Sequence, residues 1–203
     1  NWVLDTACQQ VAGWQRRLAT TGQNLNLAVN LSSVQLRKDS LLSTVNAALT
    51  ASGLAAENLE LELTESMLFA EPQKAAVVLE QLVRSGVTIS VDDFGTGYSS
   101  LSHLRIFPIS TLKIDRSFVR EIENRERDAR FFKAVTSMAK TLELTIVAEG
   151  VETATQSQLC LEAGCDRLQG YYFSRPVAVE QVEALLFPDT GEGPMSEAIS
   201  ALC

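Results

Sequence analysis

Val87-Thr88-Ile89-Ser90-Val91-Asp92-Asp93-Phe94-Gly95 decides how this chain is read. Val87–Val91 is apolar almost throughout and rich in β-branched residues. That composition suits a strand covered on both faces, as in a parallel sheet. The strand runs straight into two adjacent carboxylates and then into a Gly/Ser loop, Phe94–Ser100. Its chemistry therefore lies where the strand ends.

The same pattern recurs on either side. Short apolar runs end in a polar residue able to hold a metal or a phosphate at Leu27–Asn30, Leu59–Glu62, Ile89–Asp93, Leu112–Lys113, Ile146–Glu149 and Leu168–Gln169. Leu59, Leu61 and Leu63 alternate with Glu60 and Glu62, which is the strand period. Helical periods fill the gaps: residues 2–19, a segment capped by Ser32 or Ser33 and closing at Ser52-Gly53, residues 72–84 with Pro72 in the first turn, Ser99–Phe107, 120–141, 153–163 and 179–187. The last strand is expected over Arg167–Phe173, and 189–203 reads as a loose tail. Right-handed crossovers point consecutive parallel strands the same way, so their C-terminal ends share one rim. Open α/β sheets and (β/α)8 barrels both place their sites there. Six strands are too few for a closed eight-stranded barrel. The chain also begins without Met, on what reads as mid-helix. The expectation is that residues are missing upstream of Asn1.

At 203 residues and 46% apolar, the chain fits one globular domain, here 1–188 plus the tail. Its net charge of −8 argues against a broad basic face for duplex nucleic acid or for anionic lipid. No stretch approaches the ~20 apolar residues of a membrane span, and no signal peptide is evident. Cys8, Cys160, Cys165 and Cys203 form no CxxC pair, and His103 is the one histidine. A zinc site or disulfide framework is not expected, and reduced thiols of a cytoplasmic protein are.

Asn30, Glu62, Asp92, Asp93 and Glu149 on one rim would repel strongly unless cations sit among them. A donor set of oxygens alone favours Mg²⁺ or Mn²⁺ over zinc. The adjacent Asp92-Asp93 pair suits two ions, and a pair ~3.5–4 Å apart can hold the attacking and leaving oxygens of a phosphodiester. Lys113, on the next strand end, could orient a water or steady charge on the phosphate. Singly, each residue also has a plain explanation: a strand-end Glu is often solvated, and Asp92-Asp93 can cap a turn. Gly95-Thr96-Gly97 is no dinucleotide fingerprint, because the third glycine is absent. Attached to the two aspartates, it reads as a mobile loop that arranges ligands.

Val29-Asn30-Leu31-Ser32, Glu62-Leu63-Thr64-Glu65, Asp92–Leu101, Leu112–Phe118, Ala148-Glu149-Gly150-Val151-Glu152 and Gln169-Gly170-Tyr171 together resemble the EAL-domain phosphodiesterases that hydrolyse cyclic di-GMP. The resemblance covers about residues 29–176. It implies a TIM-like (β/α)8 barrel, present here without its N-terminal strands, and hydrolysis to linear pGpG with two Mg²⁺ or Mn²⁺ ions. Carried over by motif, Asn30, Glu62 and Asp92 would bind the first ion. Asp92 would bridge, and Asp93 and Glu149 would bind the second. Lys113 would sit by the hydrolytic water, supported by Glu152 and Gln169. Glu65 would anchor the Asp93–Ser100 loop, which is tied to dimerisation in such enzymes, and Asp115 would lie toward a guanine. A homodimer and an upstream sensory or GGDEF-type domain, in a larger and even membrane-anchored protein, are the implied partners. The alternative is an inactive receptor module that binds cyclic di-GMP. The family's namesake Glu-Ala-Leu belongs on an upstream strand. Glu183-Ala184-Leu185 stands in a helical context and is not read as that motif. A chain that began at Asn1 would lack a metal ligand and is expected to be inactive.

Overall fold

The computed structural model describes residues 2–96, 104–123 and 125–188. It divides into two compact units, the first ending at Leu112 and the second beginning at Lys113. Strand order follows the sequence throughout, β1 to β6.

In the first unit, β1 (Leu27–Asn30), β2 (Leu59–Thr64) and β3 (Thr88–Phe94) pair in parallel. Ser110 N–H donates to Ile89 O at 2.9 Å and leads into β4 (Thr111–Ile114), whose first two residues complete this unit. Leu61, Leu63, Ile89 and Val91 share one face of the sheet and are fully buried. Helices α1 (Trp2–Leu18), α2 (Ser33–Leu36), α3 (Leu41–Ser52), α4 (Glu65–Ala70) and α5 (Pro72–Arg84) accompany it. Pro72 opens α5, where its missing N–H costs nothing. Ala75, Leu79 and Leu82 then recur at helical spacing and bury one stripe of that helix.

In the second unit, the last two residues of β4 are followed by β5 (Thr145–Glu149) and β6 (Arg167–Gln169), with β5 and β6 parallel. The helices are α6 (Arg116–Glu121), α7 (Glu126–Thr141), α8 (Ala154–Glu162) and α9 (Val179–Leu186). Ile146 and Ala148 of β5 are fully buried, as are Phe132 and Ala139 of α7. Thr153 and Gln156 close a capping box at the start of α8.

Several boundaries differ from the sequence expectation. The helix expected from Ser32 to Ser52 is two helices. Ser32 and Gln35 close a capping box on a single turn, the chain bends over Arg37–Ser40, and α3 starts afresh. The helix expected over 120–141 is likewise split into α6 and α7. The last strand stops at Gln169 and not at Phe173, because Gly170 leaves the ladder to press against another backbone. The short α4 had no sequence expectation. Glu183-Ala184-Leu185 does lie within a helix, α9. The expected Ser99–Phe107 helix falls largely outside the described residues, and the 189–203 tail wholly so. Cys8, Cys160 and Cys165 are buried free thiols.

Candidate active site

Strand register explains why the first unit gathers its polar residues. Asn30 pairs with Glu62, and Glu62 pairs with Ser90. Partners across a parallel ladder point to the same face, and residues two apart along a strand share a face. Asn30, Glu62, Ser90 and Asp92 therefore occupy one face of the sheet, opposite the Leu/Ile/Val face. The middle of this polar face is covered, with Glu62 6% exposed and Ser90 inaccessible, while Asn30 at its β1 edge is exposed. Farther down the same face, Thr111 Oγ1 donates to Glu60 Oε2 at 3.4 Å. Burying carboxylates and hydroxyls is costly unless partners or cations compensate.

β3 ends in an unusual turn. Asp93 has φ +53°, in the left-handed region that side chains other than glycine rarely adopt. The strand alternation breaks here, so Asp93 need not point away from the Asp92 face as a regular strand would force it to. The turn is closed by Thr96, whose N–H and Oγ1 reach Asp93 O at 3.3 and 2.9 Å. Glu65, 3% exposed at the first turn of α4, accepts a hydrogen bond from Gly95 N–H at 3.0 Å. Glu65 thus touches the turn that carries Asp93. Residues 97–100 of the loop lie outside the described set.

In the second unit, Lys113 of β4 and Glu149 of β5 form an ion pair, Nζ to Oε1 2.7 Å, with both side chains largely buried. Glu149 is paired in register with Gln169 of β6. The turns beyond them are fixed by backbone contacts. Val151 N–H donates to Gln169 O and Tyr172 N–H to Val151 O, both at 3.0 Å. A Cβ on Gly170 would sit 2.1 Å from Val151 O, and one on Gly150 (φ +69°) 2.3 Å from Arg116 Cβ. Both positions require glycine. Both glycines stand in the quoted motifs, yet the contacts that demand them join residues far apart in sequence and leave no local signal. Two expected site residues have local duties. Asp115 caps α6, accepting from Ser117 N–H at 3.0 Å. Glu152 is exposed, and its N–H donates to Gln156 Oε1 at 2.7 Å. Gln169 is exposed at the end of β6.

The fold is α/β, and each unit carries acidic and other oxygen-bearing side chains at the ends of its strands. The EAL domain family profile matches residues 1–176, and the chain belongs to that family, whose fold is a TIM-like barrel. Over 183 residues it is 44% identical to the bifunctional diguanylate cyclase/cyclic di-GMP phosphodiesterase MucR of Pseudomonas aeruginosa, covering 90% of this chain and 26% of MucR. It is 41% identical over 185 residues to the signaling protein YkoW of Bacillus subtilis, covering 91% of this chain and 23% of YkoW. The chain thus spans about a quarter of the length of these relatives. Among solved structures, the P. aeruginosa MucR phosphodiesterase in complex with c-di-GMP matches with TM-score 0.83 at 44% identity, over 89% of this chain and 72% of that one. The EAL domain of Mycobacterium smegmatis DcpA matches with TM-score 0.84 at 39% identity, over 91% and 82%. No helix among the described residues is long and apolar enough to cross a membrane.

Proposed function

We propose that this chain hydrolyses cyclic di-GMP to linear pGpG. Asn30, Glu62, Asp92, Asp93 and Glu149 would hold two Mg²⁺ or Mn²⁺ ions. The observation that carries the reading is the placement of Asn30, Glu62 and Asp92 on one polar face of β1–β3, where packing offers no reason for them. The donors are all oxygens, which fits hard divalent cations. Such ions, when bound, draw charge from the scissile phosphate and make a water a competent nucleophile near neutral pH. Hydrolysis joins the water oxygen to phosphorus as the P–O3′ bond breaks, and O3′ gains a proton.

This chain's own residues supply placement. Lys113, steadied by Glu149, orients the entering water and offsets charge on the phosphate. Glu65 holds the turn that carries Asp93. Gln169, Glu152 and Asp115 act on the substrate side. MucR's paired activities and the length of the relatives support a larger signalling protein with a GGDEF-type or sensory domain, and the family reading extends to a homodimer.

The test is turnover of cyclic di-GMP by the full-length protein with Mg²⁺ or Mn²⁺, followed as pGpG by chromatography. Product that vanishes in Asp93→Asn is the expected result. Tight binding with no product from the unaltered protein would replace hydrolysis by a receptor role.

A further inference from the structure

The first unit holds a pocket of about 820 Å³ that the proposed reaction does not use. Its walls are α2 with the bend after it, α4, and the first half of α5. Leu36, Met67, Ala70, Val77 and Val78 supply an apolar lining, and Val77 is left 58% exposed. Arg37, Lys38 and Lys74 stand there against Asp39 and Glu71, one positive charge in excess, in a chain whose net charge is −8. Lys74 is already paired with Glu71 at 2.5 Å. The excess therefore falls at Arg37 and Lys38, both exposed on the bend.

Three short segments meeting at a pocket suit a compact guest. A partner helix needs a groove with anchors spread over two turns or more, and α5 lends only Gln73–Val78. The volume lies within the range of small-molecule sites, roughly 300–1,000 Å³, which are mostly apolar with a few placed polar groups. The lining accepts an apolar body, and a single acidic head answers the excess charge on the bend. Helix α4 joins this pocket to the Asp93 turn. Its first residue, Glu65, accepts from Gly95 N–H at 3.0 Å, and Ser66, Met67 and Ala70 of the same helix line the pocket. A ligand favours the arrangement that it binds, and here that arrangement has Glu65 on Gly95. We infer that the pocket between α2, α4 and α5 takes a free, small amphipathic anion, and that its occupancy braces α4 and so holds the Asp93 turn. The binding stands on the pocket alone, and an effect on turnover rests on the function proposed above.

The probe is decanoate, an acidic head on an apolar chain, added to the full-length protein below its micelle concentration. Calorimetry should show it binding, while decyltrimethylammonium, with the opposite head, does not bind. Lys38→Glu at the rim and Ala70→Trp, which fills the space, should each weaken binding about tenfold or more, with Tm near the parent's to show that both fold. Decanoate should slow hydrogen exchange at the Gly95 amide, and Glu65→Ala should abolish that slowing while decanoate still binds. No binding of decanoate, equal binding of both surfactants, or full affinity in both variants would overturn the site. Binding to phosphatidylglycerol vesicles but not to free decanoate would replace the small molecule by a membrane surface. Binding with Gly95 exchange unchanged would remove the link to the Asp93 turn. Cyclic di-GMP turnover at limiting Mg²⁺ should rise about fivefold or more with decanoate. No turnover with or without decanoate would remove the hydrolytic reading instead, and the calorimetry and exchange results would still decide the pocket.

Discussion

The turn after β3 and the turns after β5 and β6 carry comparable chemistry and are held in different ways. Asp93–Thr96 is a strained turn, tied to the rest of its unit through the Glu65 carboxylate on Gly95 N–H. Around Gly150 and Gly170 the restraint is steric, against Arg116 Cβ and the Val151 backbone, with no room for a methyl group and two peptide hydrogen bonds through Val151. A turn held by a charged side chain can be released by altering one carboxylate. A turn held by backbone contact can be released only by unfolding its surroundings. The difference implies that the Asp93 turn of the first unit is adjustable, while the Glu149 and Gln169 turns of the second unit are fixed.

The sharpest way to break this comparison is Gly170→Ala. Forcing a Cβ to within 2.1 Å of a carbonyl oxygen should cost more than about 3 kcal/mol. Calorimetry should then show Tm falling by roughly 6–12 °C. A Tm within a degree of the parent would show that the Val151 contact yields easily. Next comes Asp93→Gly. It relieves the left-handed backbone, worth up to about 1 kcal/mol, and removes a proposed cation donor. Tm should hold or rise while cyclic di-GMP turnover falls by about a hundredfold or more. Loss of both together would mean that the positive φ stores no strain.

Glu65→Ala should show the reverse balance from Gly170→Ala. The hydrogen bond from Gly95 to a charged group is worth about 1.5–3 kcal/mol, and turnover should drop by about tenfold or more through misplacement of Asp93. If turnover is intact and only Tm moves, the tether is structural.

The smallest effect concerns the second unit's own charged tether. Asp166 bonds Lys140 and accepts from Ile146 N–H at 2.8 Å. Partial burial opposes its ionisation, yet these two partners hold its carboxyl below the usual aspartate range. A lowered folded value means the contribution is present above the unfolded pKa of about 3.9 and is lost as pH falls through the folded one. Both side chains are more than a third exposed, so the contribution is discounted to about 0.5–1 kcal/mol. The Tm gap between parent and Asp166→Asn should stay constant from pH 8 to 5 and close toward pH 3. A gap that widens in acid would reverse the assignment.

Much of this was legible in the sequence, and for identifiable reasons. The Leu59–Thr64 alternation fixes which residues of β2 share the Glu62 face, and the register of its neighbours then carries Asn30 and Asp92 onto it. The remaining candidates came from the resemblance to family motifs. The helix break over Arg37–Ser40 was hidden because no Gly or Pro marks it and the capping box at Ser32 reads the same for one turn as for five. The left-handed Asp93 was hidden too: the Asp92-Asp93 pair suits a turn, but nothing local fixes which of its residues takes the positive φ. The Lys113–Glu149 pair joins residues 36 apart, a distance local reasoning does not span.

The wedge at Gly170 also sets how freely this rim can diverge among related chains. A library randomised at position 170 should return the parent residue alone. One randomised at 171, whose ring is exposed, should return many residues, so the sequence can vary freely next to a backbone position that admits one residue alone.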